Sequence, residues 1–129
     1  MNEQLQLIAI VEACGWEWKK GNHPSECWHH EDFYVDAPLF AEIRNKEDCL
    51  DELPRYLTDL GAIQNARSLT ITTPALRAAY MNNLRQIVGR RCEINKAGIP
   101  LVSDYDCVDA DAGEHAEALL RTLNRWITE

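Results

Sequence analysis

Four residues close together, His23, Cys27, His29 and His30, are of the types that bind a metal, and their local density invites a zinc reading. Their spacing fits no standard zinc knuckle. On a strand only Cys27 and His29 would share a face, so a loop and edge strand is the expectation, with no metal. Asp104, Asp106, Asp109 and Asp111 suggest a calcium loop, but the central glycine and the terminal bidentate glutamate of such loops are not at the required offsets. Ser25, Ser68 and Ser103 lack the Gly-x-Ser-x-Gly elbow of a serine nucleophile. The six glycines are isolated, so no phosphate-cradling loop is present, and no cofactor is expected. The five cysteines, Cys14, Cys27, Cys49, Cys92 and Cys107, are odd in number and contain no Cys-x-x-Cys pair, so they read as reduced, core-filling thiols. No catalytic constellation emerges, and the expectation is binding without turnover.

Arginines and tryptophans offer that binding chemistry. Arg77, Arg85, Arg90, Arg91 and Lys96 form a basic segment interrupted only by Glu93, and Arg121 with Arg125 adds a second group. Guanidinium groups suit phosphate because their planar fork donates two parallel hydrogen bonds. Trp16 and Trp18 alternate with Glu17 and Lys19 beside Lys20, and could supply an aromatic wall for a base. Trp126 falls on the apolar side of the last helix and reads as core.

The elements that must position these residues follow from periodicity. A helix is predicted from about Glu3 to Cys14, with Leu7, Ile8, Val11 and Cys14 on one face and Gly15 as its stop. The strand carrying Trp16 and Trp18 should turn at Gly21–Pro24 and pair with a strand from Glu26 to about His30. Residues 31–53 lack a clear period, with short edge strands possible near Phe33–Val35 and Phe40–Ile43. A helix should start after Thr58 as its cap, with Leu60, Ile63 and Ala66 facing the core, and another after the Thr73-Pro74 signal. The latter should run to Gly89 with Leu76, Tyr80, Leu84, Ile87 and Val88 inward. Arg91–Ile94, Ile99–Val102 and Tyr105–Asp109 read as strands. The last helix opens at Asp111-Ala-Gly-Glu114, a capping box, and buries Ala112, Ala116, Leu119, Leu120, Leu123 and Ile127. Helices interspersed with short strands predict one α+β domain over residues 1–129, an antiparallel sheet covered by helices.

Composition narrows the classes. At 129 residues with 46% hydrophobic and 26% charged residues, the chain is an ordinary globule, long enough to bury about two thirds of its unfolded surface. Apolar runs fall far short of the roughly 20 residues of a membrane span, and the N-terminus lacks a signal peptide, so the cytoplasm is the expected location. A net charge of −8 argues against direct coating of DNA. The opposing acidic block, Asp104, Asp106, Asp109, Asp111, Glu114 and Glu117, invites self-association or an oriented partner.

Three segments carry a resemblance: Ile10–Trp18 with its Gly-Trp ending, the Leu-Pro-x-Tyr-x-x-Asp-Leu module at Leu53–Leu60, and Ala116–Arg121 within the closing helix. They resemble small phage proteins built on the phage ABA-sandwich domain. That resemblance implies a layered α/β/α sandwich and a homo-oligomer. It also implies an accessory role against bacterial immunity, similar to the sponges that sequester nucleotide signals such as cyclic ADP-ribose isomers of Thoeris defence or cyclic oligonucleotides; a ligand site of that kind would take its phosphate-binding groups from Arg77, Arg85, Arg90, Arg91, Arg121 and Arg125 and its aromatic wall from Trp16 or Trp18. The alternative is an anti-CRISPR-like acidic inhibitor that mimics nucleic acid against a host defence protein, with Glu42, Glu47, Asp48, Asp51 and Glu52 extending the acidic face.

Overall fold

Helix α1, Glu3–Ala13, starts where the Asn2 side chain accepts the Leu5 amide at 2.8 Å, and it turns Ile8, Ile10 and Val11 inward. It stops as the glycine signal predicts: Gly15 has φ 94°, Gly15 N donates to Glu12 O and Trp16 N to Val11 O, a Schellman closure. The chain emerges as strand β1, Glu17–Lys19, which pairs antiparallel with β2, Cys27–His29, placing Trp18 opposite Trp28. The computed structural model describes residues 1–19, 27–30, 49–50 and 53–127. The predicted turn at Gly21–Pro24, the edge strands near Phe33–Val35 and Phe40–Ile43, and the acidic residues Glu42, Glu47, Asp48, Asp51 and Glu52 lie outside the described residues.

Helix α2, Leu60–Thr70, begins one residue later than expected. Asp59 rather than Thr58 is the cap, its carboxylate accepting the amides of Gly61 at 2.9 Å and Ala62 at 3.3 Å. Ile63 and Ala66 are buried as anticipated, whereas Leu60 in the first turn is exposed. Helix α3, Pro74–Gly89, has the predicted Thr73 cap and proline start. Its face Tyr80, Leu84, Ile87 and Val88 is buried, with Leu76 packed at the edge. Gly89 is not a left-handed stop but a close approach: a Cβ there would lie 3.2 Å from both Pro100 Cβ and Val102 Cγ2.

The expected layered sheet is not what the chain builds. Among the described residues there are five helices and one two-stranded ribbon of three-residue strands, so the fold is mostly helical. The predicted strands at Arg91–Ile94 and Ile99–Val102 reduce to a single bridge between Ile94 and Pro100. Proline has no amide proton with which to extend a ladder. The predicted strand at Tyr105–Asp109 is instead helix α4, Asp104–Val108, because Ser103 and Asp106 form a reciprocal capping box that fixes a helical first turn.

Helix α5, Ala112–Thr122, carries the predicted capping box, with Asp111 Oδ1 accepting Glu114 N at 2.8 Å and Glu114 Oε1 accepting Asp111 N at 3.1 Å. Ala112, Ala116, Leu119 and Leu120 are buried. The helix closes at Asn124, left-handed with φ 57°, while Arg125 N donates to Leu120 O. Trp126 and Ile127 therefore lie beyond the helix: Trp126 is half-buried at the edge of the core and Ile127 is exposed, not inward as expected. Arg91 near the end of α3 meets Glu114 at the start of α5, and Asn83 meets Thr122 at its end, so the two run antiparallel and form the central helix pair. One cluster of buried residues joins α1, the ribbon's Trp28 and all the later helices. No helix among the described residues is long and apolar enough to cross a membrane.

Candidate functional site

The basic and acidic blocks that stand apart in sequence meet in space. Arg85 pairs with Asp104. Arg90 clamps Glu117 through two hydrogen bonds of 2.9 and 2.7 Å. Arg91 reaches Glu114 at 3.0 Å and the Asp106 carbonyl at 3.4 Å, and Arg121 donates to Glu117 at 2.7 Å. Burial pushes the Glu117 carboxyl up, but the hydrogen bonds from Arg90 and Arg121 outweigh it and hold the group below the ordinary carboxylate value. These ion pairs close α3 onto α4 and α5 within one chain.

The expected ligand residues do not converge on one site. Trp16 is 3% exposed, its indole Nε1 donating to the Tyr56 hydroxyl at 3.3 Å and its ring tilted against His30. Such a ring is core and presents no open face for a base. Trp18 is half-buried, edge-on to Trp28 with ring centroids 5.5 Å apart. Arg90 and Arg121 are brought together through Glu117 in a polar groove of about 410 Å³ between α3 and the end of α5, where the Arg121 guanidinium lies 5.0 Å above the Trp126 ring. Arg125 is exposed and sits past the end of α5. Arg77 stands in a different crevice altogether.

That crevice, about 450 Å³, lies where α2 ends and α3 begins, and its size falls in the range of small-molecule sites. Arg67 from α2 and Arg77 from α3 line it with the exposed Met81, the hydroxyl residues Ser68 and Thr72, and the buried Tyr80 at its base. Among the described residues no acidic side chain lines it. The Arg67 guanidinium lies 5.7 Å above the Tyr80 ring, a cation–π contact, while the Tyr80 hydroxyl is hydrogen-bonded to His115 Nδ1 on α5. Burial pushes the Tyr80 hydroxyl up to about 12, with Arg67 acting in the opposite direction, so this phenol keeps its proton at neutral pH. Arg67, Tyr80, Met81 and His115 were not among the residues expected from sequence. In the sequence Tyr80 falls within the apolar stripe of α3, and His115, an imidazole on the apolar face of α5, is the signal of a polar partner across the core.

The other candidate chemistries have structural occupations. Asp106 and Asp111 cap α4 and α5, and Asp104 binds Arg85. His30 Nε2 is 2.9 Å from the Cys14 carbonyl, and His23 lies outside the described residues. No group of three metal-binding side chains is found among the described residues. Burial raises the Cys14 thiol to about 11, which makes it a poor nucleophile at neutral pH. Comparison with protein-family models, curated proteins and solved structures finds no match.

Proposed function

We propose that the protein binds a nucleotide-class anion in the crevice between α2 and α3 and holds it without turnover, the sequestering role that the likeness to phage nucleotide-signal sponges implies. One observation carries this reading. Arg85, Arg90, Arg91 and Arg121 are each held by a carboxylate, whereas Arg67 and Arg77 face a common cavity with no acidic partner among the described residues. In a chain with 21 acidic and 13 basic residues, two unneutralised guanidiniums in one crevice create a local site for phosphate. Met81, 41% exposed, supplies apolar surface for a base, while the buried Tyr80 ring lies beneath Arg67. The ligand would be a cyclic ADP-ribose isomer or a cyclic oligonucleotide, and the setting a phage accessory factor acting in the host cytoplasm, as a homo-oligomer.

The acidic-inhibitor alternative draws on the net charge of −8, yet Asp104, Glu114 and Glu117, which it requires as an outward face, are bound by arginines. The deciding experiment is depletion of cyclic ADP-ribose isomers and cyclic oligonucleotides from solution by the purified protein, followed by heating and chromatography of what is released. Recovery of intact ligand supports sequestration. A cleaved product would replace binding with catalysis, and no depletion at ligand concentrations well above the protein would end the nucleotide reading. Sedimentation velocity over a range of concentrations tests self-association.

A further inference from the structure

We infer that His115 is a positioning residue for the crevice: it holds the Tyr80 ring beneath Arg67, and it takes up a proton when an anion settles on Arg67. The inference rests on the anion-binding reading above and adds a regulation to that site. His115 is 6% exposed, buried beneath the crevice with Tyr80. Its ring is nearly parallel to that of Tyr80, at 15°, with centroids 6.0 Å apart, and its Nδ1 is bonded to the Tyr80 hydroxyl. Tyr80 in turn lines the crevice and carries Arg67 at 5.7 Å over its face. The imidazole therefore sits one residue behind the site, connected to it by a ring that both helices hold.

The charged groups around His115 come from three elements. Arg67 faces it from α2, Tyr80 from α3, and Asp111 and Glu114 from the start of α5. Burial and then Arg67 disfavour the imidazolium, while Glu114 and Asp111 favour it. Asp111 and Glu114 are committed to capping α5, and Glu114 is also bound to Arg91, so a ligand leaves them unchanged. Arg67 is the member of this set that a ligand in the crevice reaches. An anion on its guanidinium offsets the positive charge that opposes protonation, so binding and proton uptake favour each other. By reciprocity the anion binds more tightly at the lower pH.

Sulfate and 3′,5′-cyclic AMP are suitable probes because each keeps a constant charge between about pH 5.5 and 8, the window in which histidine titrates. Calorimetry on the intact protein should show each probe binding about fivefold more tightly at the acid end, with a buffer-dependent heat that reports proton uptake. His115→Gln, which retains a hydrogen-bonding group but does not titrate, should still bind at the alkaline end and lose the pH dependence. In the unaltered protein, the NMR titration of the His115 ring should move to higher pH when sulfate is added, a readout that does not depend on the variant folding. Binding with an unmoved His115 titration, or with the same pH profile in His115→Gln, overturns the inference and leaves the crevice reading standing. Absence of binding by both probes across the whole range overturns the crevice reading itself.

Discussion

A guanidinium's role in this chain is decided by what answers it. Arg90 and Arg121 share one carboxylate, Glu117, and so join α3 to α5, while Arg67 and Arg77 line a crevice that, among the described residues, holds a tyrosine, hydroxyls and apolar side chains but no carboxylate. Arg67→Ala and Arg77→Ala should each weaken nucleotide binding by about tenfold or more, the usual effect of removing a charge-assisted hydrogen bond, with little change in melting temperature. Arg90→Ala should behave in the opposite way, lowering stability while leaving the crevice's affinity nearly unchanged. Equilibrium binding and thermal melts on the three variants separate the two classes. The pairings were only half legible in sequence. The opposite signs of segments 77–96 and 104–117 were evident, but an ion pair such as Arg90 with Glu117 joins residues far apart in the chain, and only helix packing sets that distance.

At the scale of elements, local chemistry was a good guide wherever it was self-contained. The caps at Thr73 and Asp111 needed only residues three positions away, and both helices begin where those signals stand. Removing the Asp111 side chain as Asp111→Ala should cost about 1 kcal/mol, since it leaves first-turn amides of α5 unanswered, and urea unfolding would measure it. Apolar alternation was a poor guide between Arg91 and Asp109. It suggested three strands, but Pro100 stops a ladder and the Ser103 capping box starts a helix. Gly89 illustrates the same limit. Its position suggested a helix stop, yet its absent side chain is what lets Pro100 and Val102 lie against α3. Gly89→Val should cost about 1–3 kcal/mol through overpacking and should loosen the segment 94–102, visible as faster amide exchange there.

For the whole molecule, acidification should act in two stages. Burial and Arg67 depress the folded-state pKa of His115 below its ordinary 6.5, so the unfolded chain binds the proton more readily. The stability this neutral imidazole contributes is complete above pH 6.5 and falls as the pH drops through that value toward the folded pKa. The second stage comes from Glu117, whose depressed folded pKa makes its contribution complete above its ordinary 4.5 and progressively lost as the pH falls below that. Thermal melts from pH 8 downward should therefore hold steady, decline first below 6.5 and decline more steeply below 4.5. His115→Gln should remove the first decline and Glu117→Gln the second. An anion in the crevice should reduce the first decline, because it favours the protonated imidazole in the folded state.

Short-range chemistry made part of the fold legible in the residues alone: the caps of α3 and α5, the glycine closure of α1, the pairing of the tryptophan ribbon and most of the inward faces of α3 and α5. Each depends on residues within a few positions, so composition and spacing suffice to read it. The tertiary structure alone decided that a mostly helical packing replaces the layered sheet and that Trp16 is core rather than a binding wall. It also decided that Arg85, Arg90 and Arg91 meet Asp104, Glu117 and Glu114, while Arg67 and Arg77 line a crevice with no acidic residue among the described residues and Arg67 lies over the Tyr80 ring. Those outcomes depend on which helix faces meet, and the free energy that selects them comes from burying side chains distant in the chain, which no local pattern records.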